Sequence, residues 1–388
     1  MKHLTGGFSN IAGFSSLGKS IGIKASGKDF AVLFCDRVCT TSAIYTQNQI
    51  QGAPLFVTRK HLSNNAAQAI VVNSGIANVA TGQLGIKNAE QTAELVANEL
   101  GINTEDVLVA STGVIGPQIP MEKISTGVKG IKDELGAGED FAEAIFTTDT
   151  KKKEICVNAH GITIAGCAKG SGMIAPNMAT MLAFLITDAK LNSQQLNDAL
   201  KSAVDSSFNM MSVDMDTSTS DMVIAMAYGS VEVELRRFQE LLTYVCQELA
   251  KMIAKDGEGA TKLIVSQVKG AKTKSDAQKV AKSIVTSNLV KTAVYGNDPN
   301  WGRLMMALGN SRAQAINPSE IAIHINGCPI VGQGAAATTY DAEKLRSILA
   351  SNEEIVITIE LNQGNYSAEA YGCDMSEEYI KINAEYTT

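Results

Sequence analysis

No Cys-x-x-Cys pair occurs in this sequence, although it carries seven cysteines, at positions 35, 39, 156, 167, 246, 328 and 373. Its four histidines do not cluster with them. Both absences argue against a metal site of the zinc type, and the odd count argues against a disulfide framework. Such cysteines serve as small buried apolar groups in a reducing interior. A basic surplus is missing as well: the net charge of −7 speaks for solubility and against sequence-independent binding to nucleic acid. Within it, the short run Lys151-Lys152-Lys153 reads as a solvated loop. The start, Met-Lys-His-Leu-Thr-Gly-Gly, lacks the apolar segment of a signal peptide, and no stretch reaches membrane-spanning length. A cytoplasmic protein with no membrane partner is the expectation.

What is there is a chain of 388 residues, 45% hydrophobic and 19% charged, long enough for two lobes around buried cores. Strand-like and helix-like segments alternate without low-complexity linkers or repeats. Asn88 is placed to cap a helix that Gly101 stops, with Ala89, Ala93, Val96, Ala97 and Leu100 on one face. From Leu235 to Lys255, Phe238, Leu241, Leu242, Val245, Leu249, Met252 and Ile253 recur at helical steps, which predicts a long helix delivering Glu258 just past its end. Hairpins are predicted over Lys153–Ala168 around His160-Gly161 and over Ile321–Val331 around Asn326-Gly327. Met181–Ile186 is an unbroken apolar run, as in a strand buried on both faces.

That run follows a glycine-rich turn leading through Pro176 and Asn177 to the Ala179–Thr180 bond. A threonine hydroxyl that reaches its own preceding carbonyl cleaves the chain there, and the α-amino group so released is a base for the same hydroxyl. An unperturbed α-amino group titrates near pH ~8, so part of it is neutral in the cell and no histidine is needed. The bland alternative is an ordinary strand threonine. Two competing sites are also written in the sequence. Gly170-x-Gly172-x-x-Ala175 fits a loose dinucleotide fingerprint, although Pro176 falls where the phosphate-binding helix should continue. Asp214 to Asp221 holds three carboxylates that a magnesium ion would accept, or that build turns with their own backbone. Trp301 reads as a packed turn, and His324 as part of an alternating strand.

Seven separated segments resemble the ornithine acetyltransferase (glutamate N-acetyltransferase) family of arginine biosynthesis. In order they are Ser111-Thr112-Gly113-Val114-Ile115-Gly116, Thr147-Thr148-Asp149-Thr150, Lys169-Gly170-Ser171-Gly172-Met173 running on to Ala179-Thr180-Met181-Leu182, Asp216-Thr217-Ser218-Thr219, Glu258-Gly259-Ala260-Thr261-Lys262, Asp298-Pro299-Asn300-Trp301-Gly302-Arg303 and Lys381-Ile382-Asn383-Ala384-Glu385-Tyr386. The resemblance implies an α/β fold, a layered helix–sheet sandwich of the self-cleaving N-terminal-nucleophile type, with an α chain of residues 1–179 and a β chain of residues 180–388. It implies acetyl transfer from N-acetylornithine to glutamate through an ester on Thr180, with Thr112 and Gly113 as the oxyanion hole. A Thr-Gly turn after the strand-like Val107–Ala110 would aim a hydroxyl and an N–H together. Thr147, Lys169, Thr180, Glu258, Asn383 and Thr388 match the family's substrate contacts; Lys169 offers a cation for a carboxylate and Glu258 an anion for an ammonium. Thr148 is an equally plausible neighbour of Thr147 by spacing, and the family's pattern favours Thr147.

The family further implies two α and two β chains per assembly, no metal and no bound cofactor, with acetyl-CoA as an open question as co-substrate. The acidic segment 214–221 is then structural or site-shaping. The chain departs from the family's pattern at Ile76, where asparagine is expected, and at Met215, where glycine is usual, and only loosely follows it from Gly7 to Lys24. The alternatives are an N-terminal-nucleophile aminopeptidase of related fold, a dinucleotide-binding oxidoreductase and an uncut, non-catalytic relative.

Overall fold

The computed structural model describes residues 1–136, 140–175 and 181–385. Along the chain the strands are β1 (Lys2–His3), β2 (Phe14–Lys19), β3 (Phe30–Tyr45), β4 (Ala66–Ile76), β5 (Val107–Val114), β6 (Lys153–Ala159), β7 (Ile162–Lys169), β8 (Leu182–Ala189), β9 (Met211–Ser212), β10 (Met222–Val231), β11 (Leu263–Ala271), β12 (Ala322–Ile325), β13 (Cys328–Gly332), β14 (Ala335–Ala336), β15 (Glu354–Glu360) and β16 (Tyr366–Cys373). They form two sheets. One runs β1-β6-β7-β8-β10-β3-β4-β5, with β2 beside the first half of β3; the other runs β14-β13-β12-β15-β11-β16-β9.

Period-two burial explains the layering. In β8, Ala183 and Leu185 face one core and Leu182, Phe184 and Ile186 the other, so the strand is buried on both sides as its apolar run predicts. The first of these cores lies between the sheets and is filled by helices Ser193–Asp205 and Leu235–Lys255. Asn192 and Gln195 cap the shorter helix reciprocally, the Gln195 N–H donating to the Asn192 side chain at 2.9 Å. Phe238, Leu241, Leu242, Val245, Leu249 and Ile253 of the longer one are all buried in this core. Helices Lys274–Val285 and Ala342–Ser351 contribute to a further core on the second sheet, completing the expected α/β sandwich.

Both hairpins form as read. His160 and Gly161 (φ 53° and 80°) turn β6 into β7, and Asn326 and Gly327 (φ 44° and 76°) turn β12 into β13. Other expectations need correction. The helix stopped by Gly101 starts at Gly82, and Asn88 lies inside it, donating to the Gln118 side chain at 3.2 Å rather than capping. Lys153 is not a solvated loop residue: it opens β6 and is 1% exposed, because two buried carboxylates neutralise it. Trp301 begins a helix, Trp301–Gly309, capped by Asn300. Thr112 and Gly113 sit within β5 rather than in a turn after it. Six of the seven cysteines are buried and all are free, as their apolar role requires.

Candidate active site

The ends of several strands meet around one cavity of about 420 Å³. β5 supplies Thr112 and Gly113, β7 ends in Lys169, and Leu182 opens β8 with Met181 just before it. Asp214 and residues 216–221 come from the segment before β10, Glu258 from just past the 235–255 helix, and Tyr379 and Asn383 from the helix Glu377–Glu385. Thus Thr112, Gly113, Thr147, Lys169, Glu258 and Asn383, scattered in sequence, line one space. Ala179, Thr180 and Thr388 lie outside the described residues.

Lys169 is the positive pole. Its Nζ donates to Thr147 Oγ1 at 2.7 Å and to Thr112 Oγ1 at 3.3 Å, which leaves both hydroxyl protons free to point elsewhere. Burial pushes its ammonium below the ordinary lysine value, against the pull of Asp149, Asp221 and Glu258. Behind it stands Asp149, whose Oδ1 accepts from the Gly170 N–H at 2.6 Å and from Lys153 Nζ at 2.7 Å. Its Oδ2 accepts from the Thr147 N–H at 3.1 Å and lies 3.9 Å from Lys169 Nζ. Burial works to raise this carboxyl, but Lys169, Lys153 and the Gly170 N–H outweigh it and hold Asp149 below the ordinary aspartate range. Lys153 also reaches Asp256 at 2.6 Å, so two cations and two carboxylates form a chain into the core.

Glu258 is the negative pole. Asn383 donates to its Oε2 at 2.7 Å, and its own N–H is held by the Ser171 carbonyl at 2.9 Å. Gly172 lies against its carboxylate so closely that a Cβ would overlap it. Thr148 shares a hydrogen bond with Ser171 at 2.6 Å, which leaves Thr147 as the partner of Lys169.

Gly113 has φ 126° and opposes Gly75 at the bulged end of the β4–β5 pair, where a Cβ on Gly113 would strike the Gly75 backbone. A hydroxyl and a backbone unit are thereby set side by side at a strand end. The arrangement suits charge developing on a carbonyl oxygen.

The competing sites dissolve on inspection. Met173 and Ile174 donate their N–H groups to the Asp214 carboxylate at 2.6 and 2.8 Å, and Gly170 donates to Asp149. Backbone donors that a dinucleotide phosphate would need are spent on carboxylates, and the next described element is a strand. Asp214 likewise uses its oxygens on three backbone N–H groups, including that of Asp216 at 3.1 Å, and so shapes the cavity wall. Met215 adopts φ 69°, a conformation that favours glycine and accounts for the family's usual residue. Ile76 lies in the bulge of β4 and packs on the core, while its neighbour Ala77 lines the cavity.

Sequence reading missed Asp149, Lys153, Asp256 and Tyr379. Asp149 lies inside the Thr147–Thr150 segment, but nothing local in the sequence distinguishes it from a turn aspartate.

Among known proteins, the ArgJ family model matches residues 15–388. The Arginine biosynthesis bifunctional protein ArgJ of Staphylococcus aureus (strain Mu50 / ATCC 700699) is 47% identical over 403 residues, covering 100% of this chain and 96% of that protein. Its namesake from Bacillus subtilis (strain 168) is 44% identical, covering 99% and 97%. A solved chain of Arginine biosynthesis bifunctional protein argJ from Bacillus halodurans is 40% identical with a TM-score of 0.51, and covers 53% of this chain and 100% of its own length. The chain belongs to the ArgJ family.

Proposed function

We propose that the protein cuts itself between Ala179 and Thr180 and then carries acetyl groups from N-acetylornithine to glutamate, in the cytoplasm, for arginine biosynthesis. The observation that carries this is the cavity itself. A cation, two hydroxyls and a carboxylate from distant segments converge beside Met181, the residue bonded to Thr180. The names of the relatives, arginine biosynthesis bifunctional protein, agree with it. So does the Bacillus halodurans chain, matched over all its length yet spanning 53% of this one. A cut at 179–180 leaves 209 of 388 residues, about 54%, in the β chain.

In the cut, Thr180 Oγ attacks the Ala179 carbonyl, the acyl group moves from nitrogen to oxygen, and water hydrolyses the ester. The freed amine then takes the hydroxyl proton as Oγ attacks the acetyl carbon of N-acetylornithine. Thr112 and Gly113 face the oxyanion. Lys169 holds the substrate carboxylate and Glu258, steadied by Asn383, the side-chain ammonium. Ornithine leaves with the returned proton, glutamate enters, and its amine takes the acetyl group from the ester. Amide to ester to amide is nearly balanced in energy, so positioning and oxyanion stabilisation suffice. Acetyl-CoA fits the same intermediate, because an acetylated threonine keeps no record of its donor. Thr147 and Thr388 complete the substrate contacts in this reading, and two copies of each chain form the assembly.

Intact mass and denaturing electrophoresis test the cut; labelled acetylornithine with glutamate tests the transfer. Thr180→Ala should stay whole and inactive, and Thr180→Ser should keep some of each activity. Normal turnover by Thr180→Ala overturns the assignment, and release of free acetate without transfer to glutamate turns it to a hydrolase.

A further inference from the structure

Among the described residues, four buried side-chain polar atoms find no hydrogen-bond partner, and two of them, Ser220 Oγ and Asp221 Oδ2, are consecutive in the cavity wall. The residues are 6% and 3% exposed. Leaving a buried polar group unpaired costs about 1–3 kcal/mol, and more for a charged one. Two side by side at a site call for a partner, an ordered water or a ligand group.

Their position narrows which group that is. β10 runs parallel to β8 with Met222 opposite Leu182, and the Met222 N–H donates to the Met181 carbonyl at 3.0 Å. From the other side, the Thr46 N–H donates to the Asp221 carbonyl at 3.1 Å. The Asp221 carboxyl is thus fixed beside Met181, whose N–H acts on it together with the Ser218 hydroxyl and the Lys169 ammonium. Covalent linkage alone keeps the amino nitrogen of residue 180 within about 4 Å of the Met181 nitrogen. In the uncut chain that nitrogen carries one amide N–H. A cut at 179–180 makes it an amine, cationic in one of its states, one residue from two unpaired acceptors.

We propose that Ser220 and Asp221 receive the α-amino group freed by the cut, and that Asp221 is the third member of a relay formed with the hydroxyl and the amine of Thr180. This rests on the reading of Thr180 given above. As Oγ bonds to the acyl carbon, the amine takes its proton and becomes an ammonium. As the carbon–nitrogen bond of the donor breaks, the ammonium returns that proton to the leaving amine. Asp221 stays ionised throughout, orients the base and stabilises the cation; it is a positioning residue, the part a buried carboxylate plays behind any base–nucleophile pair. Without the amine, burial is the largest influence on Asp221 and pushes its carboxyl well above the ordinary aspartate value. A neighbouring ammonium returns it to the charged form. The other titratable groups around the cavity are Lys169 at the end of β7, Asp214 and Asp216 in the segment before β10, Glu258 past the long helix, and Tyr379 on the last helix. Next to β3, Thr46 contributes a hydroxyl.

The test is the pH dependence of kcat/KM for acetyl transfer by the purified cut enzyme. Asp221→Asn keeps the shape and removes the charge, so the ammonium is less favoured. Its acidic limb should move down by about one pH unit or more, with kcat falling about 100-fold and KM changing less than about threefold. Ser220→Ala removes an uncharged acceptor and should lower kcat less than about tenfold without moving the limb. A cut Asp221→Asn enzyme with the wild-type limb and kcat overturns the proposal. If that variant stays uncut or fails to fold, ¹⁵N NMR of threonine-labelled wild-type enzyme gives the amine's titration directly. A value above the ordinary ~8 supports the proposal and a value at or below it overturns it. A wild-type enzyme that is uncut or transfers no acetyl group overturns the Thr180 reading instead, an outcome distinct from an unmoved limb in a working enzyme.

Discussion

The Asp149 carboxylate and the Lys153 ammonium meet at 2.7 Å, four residues apart, with side chains 0% and 1% exposed. Because the same carboxylate also holds the Thr147 and Gly170 N–H groups, it ties the hydroxyl and the cation of the site to the core.

Asp149→Asn should therefore cost about 3–5 kcal/mol of stability near pH 7, the usual loss when one partner of a buried pair is removed. The sign of its pH dependence follows from a folded carboxyl held below the ordinary value of 3.8. Its stabilisation is fully present above that value and is lost as pH falls through the folded one. Denaturant titrations should show the gap between variant and wild type at neutral pH and its progressive closure below 3.8. A gap constant down to the acid transition would refute the electrostatic origin.

Thr112→Val keeps the branched shape at the end of β5 and removes the hydroxyl. If that hydroxyl serves the oxyanion, kcat should fall about 10²–10³-fold with KM little changed. A rise in KM at constant kcat would instead make Thr112 a ground-state contact beside Lys169.

Gly172→Ala puts a methyl group against the Glu258 carboxylate, the movable end of a side chain. The fold should survive, since the carboxylate can swing aside. KM for acetylornithine should rise about tenfold or more, matching Glu258→Gln, as a charged hydrogen bond is lost. Steady-state kinetics on the two variants make the comparison; an unchanged KM in Gly172→Ala would detach Glu258 from substrate binding.

Much of this was legible in the sequence where one residue type answers to one local cause. Asn326-Gly327 and His160-Gly161 specify tight hairpins because both positions need positive φ, and the stripe from Phe238 to Ile253 specifies a buried helix face. Asn88 misled because a capping pattern is local, whereas the helix extends back to Gly82 and Asn88 is held by Gln118 thirty residues away. Lys153 misled for a similar reason: a lysine run reads as solvent-facing until a distant Asp256 supplies its counter-charge. For the site, local chemistry did not separate Thr180 from an ordinary strand threonine, and the family resemblance is what singled it out as the nucleophile. The poles at Lys169 and Glu258 came from family resemblance, because strand register and loop closure, not spacing, bring them together.

The strand order of the first sheet has a bearing on the life of the protein after a cut. β8 and β10 are intercalated between β7 and β3, so each product would be hydrogen-bonded to the other along both flanks of that pair. Severing the backbone would then leave a nicked molecule rather than two dissociating subunits. Ordering would be imposed too: neither fragment would hold the whole of that first sheet, so maturation would have to follow its folding, and an enzyme denatured after the nick would have to reassemble two separate polymers to recover.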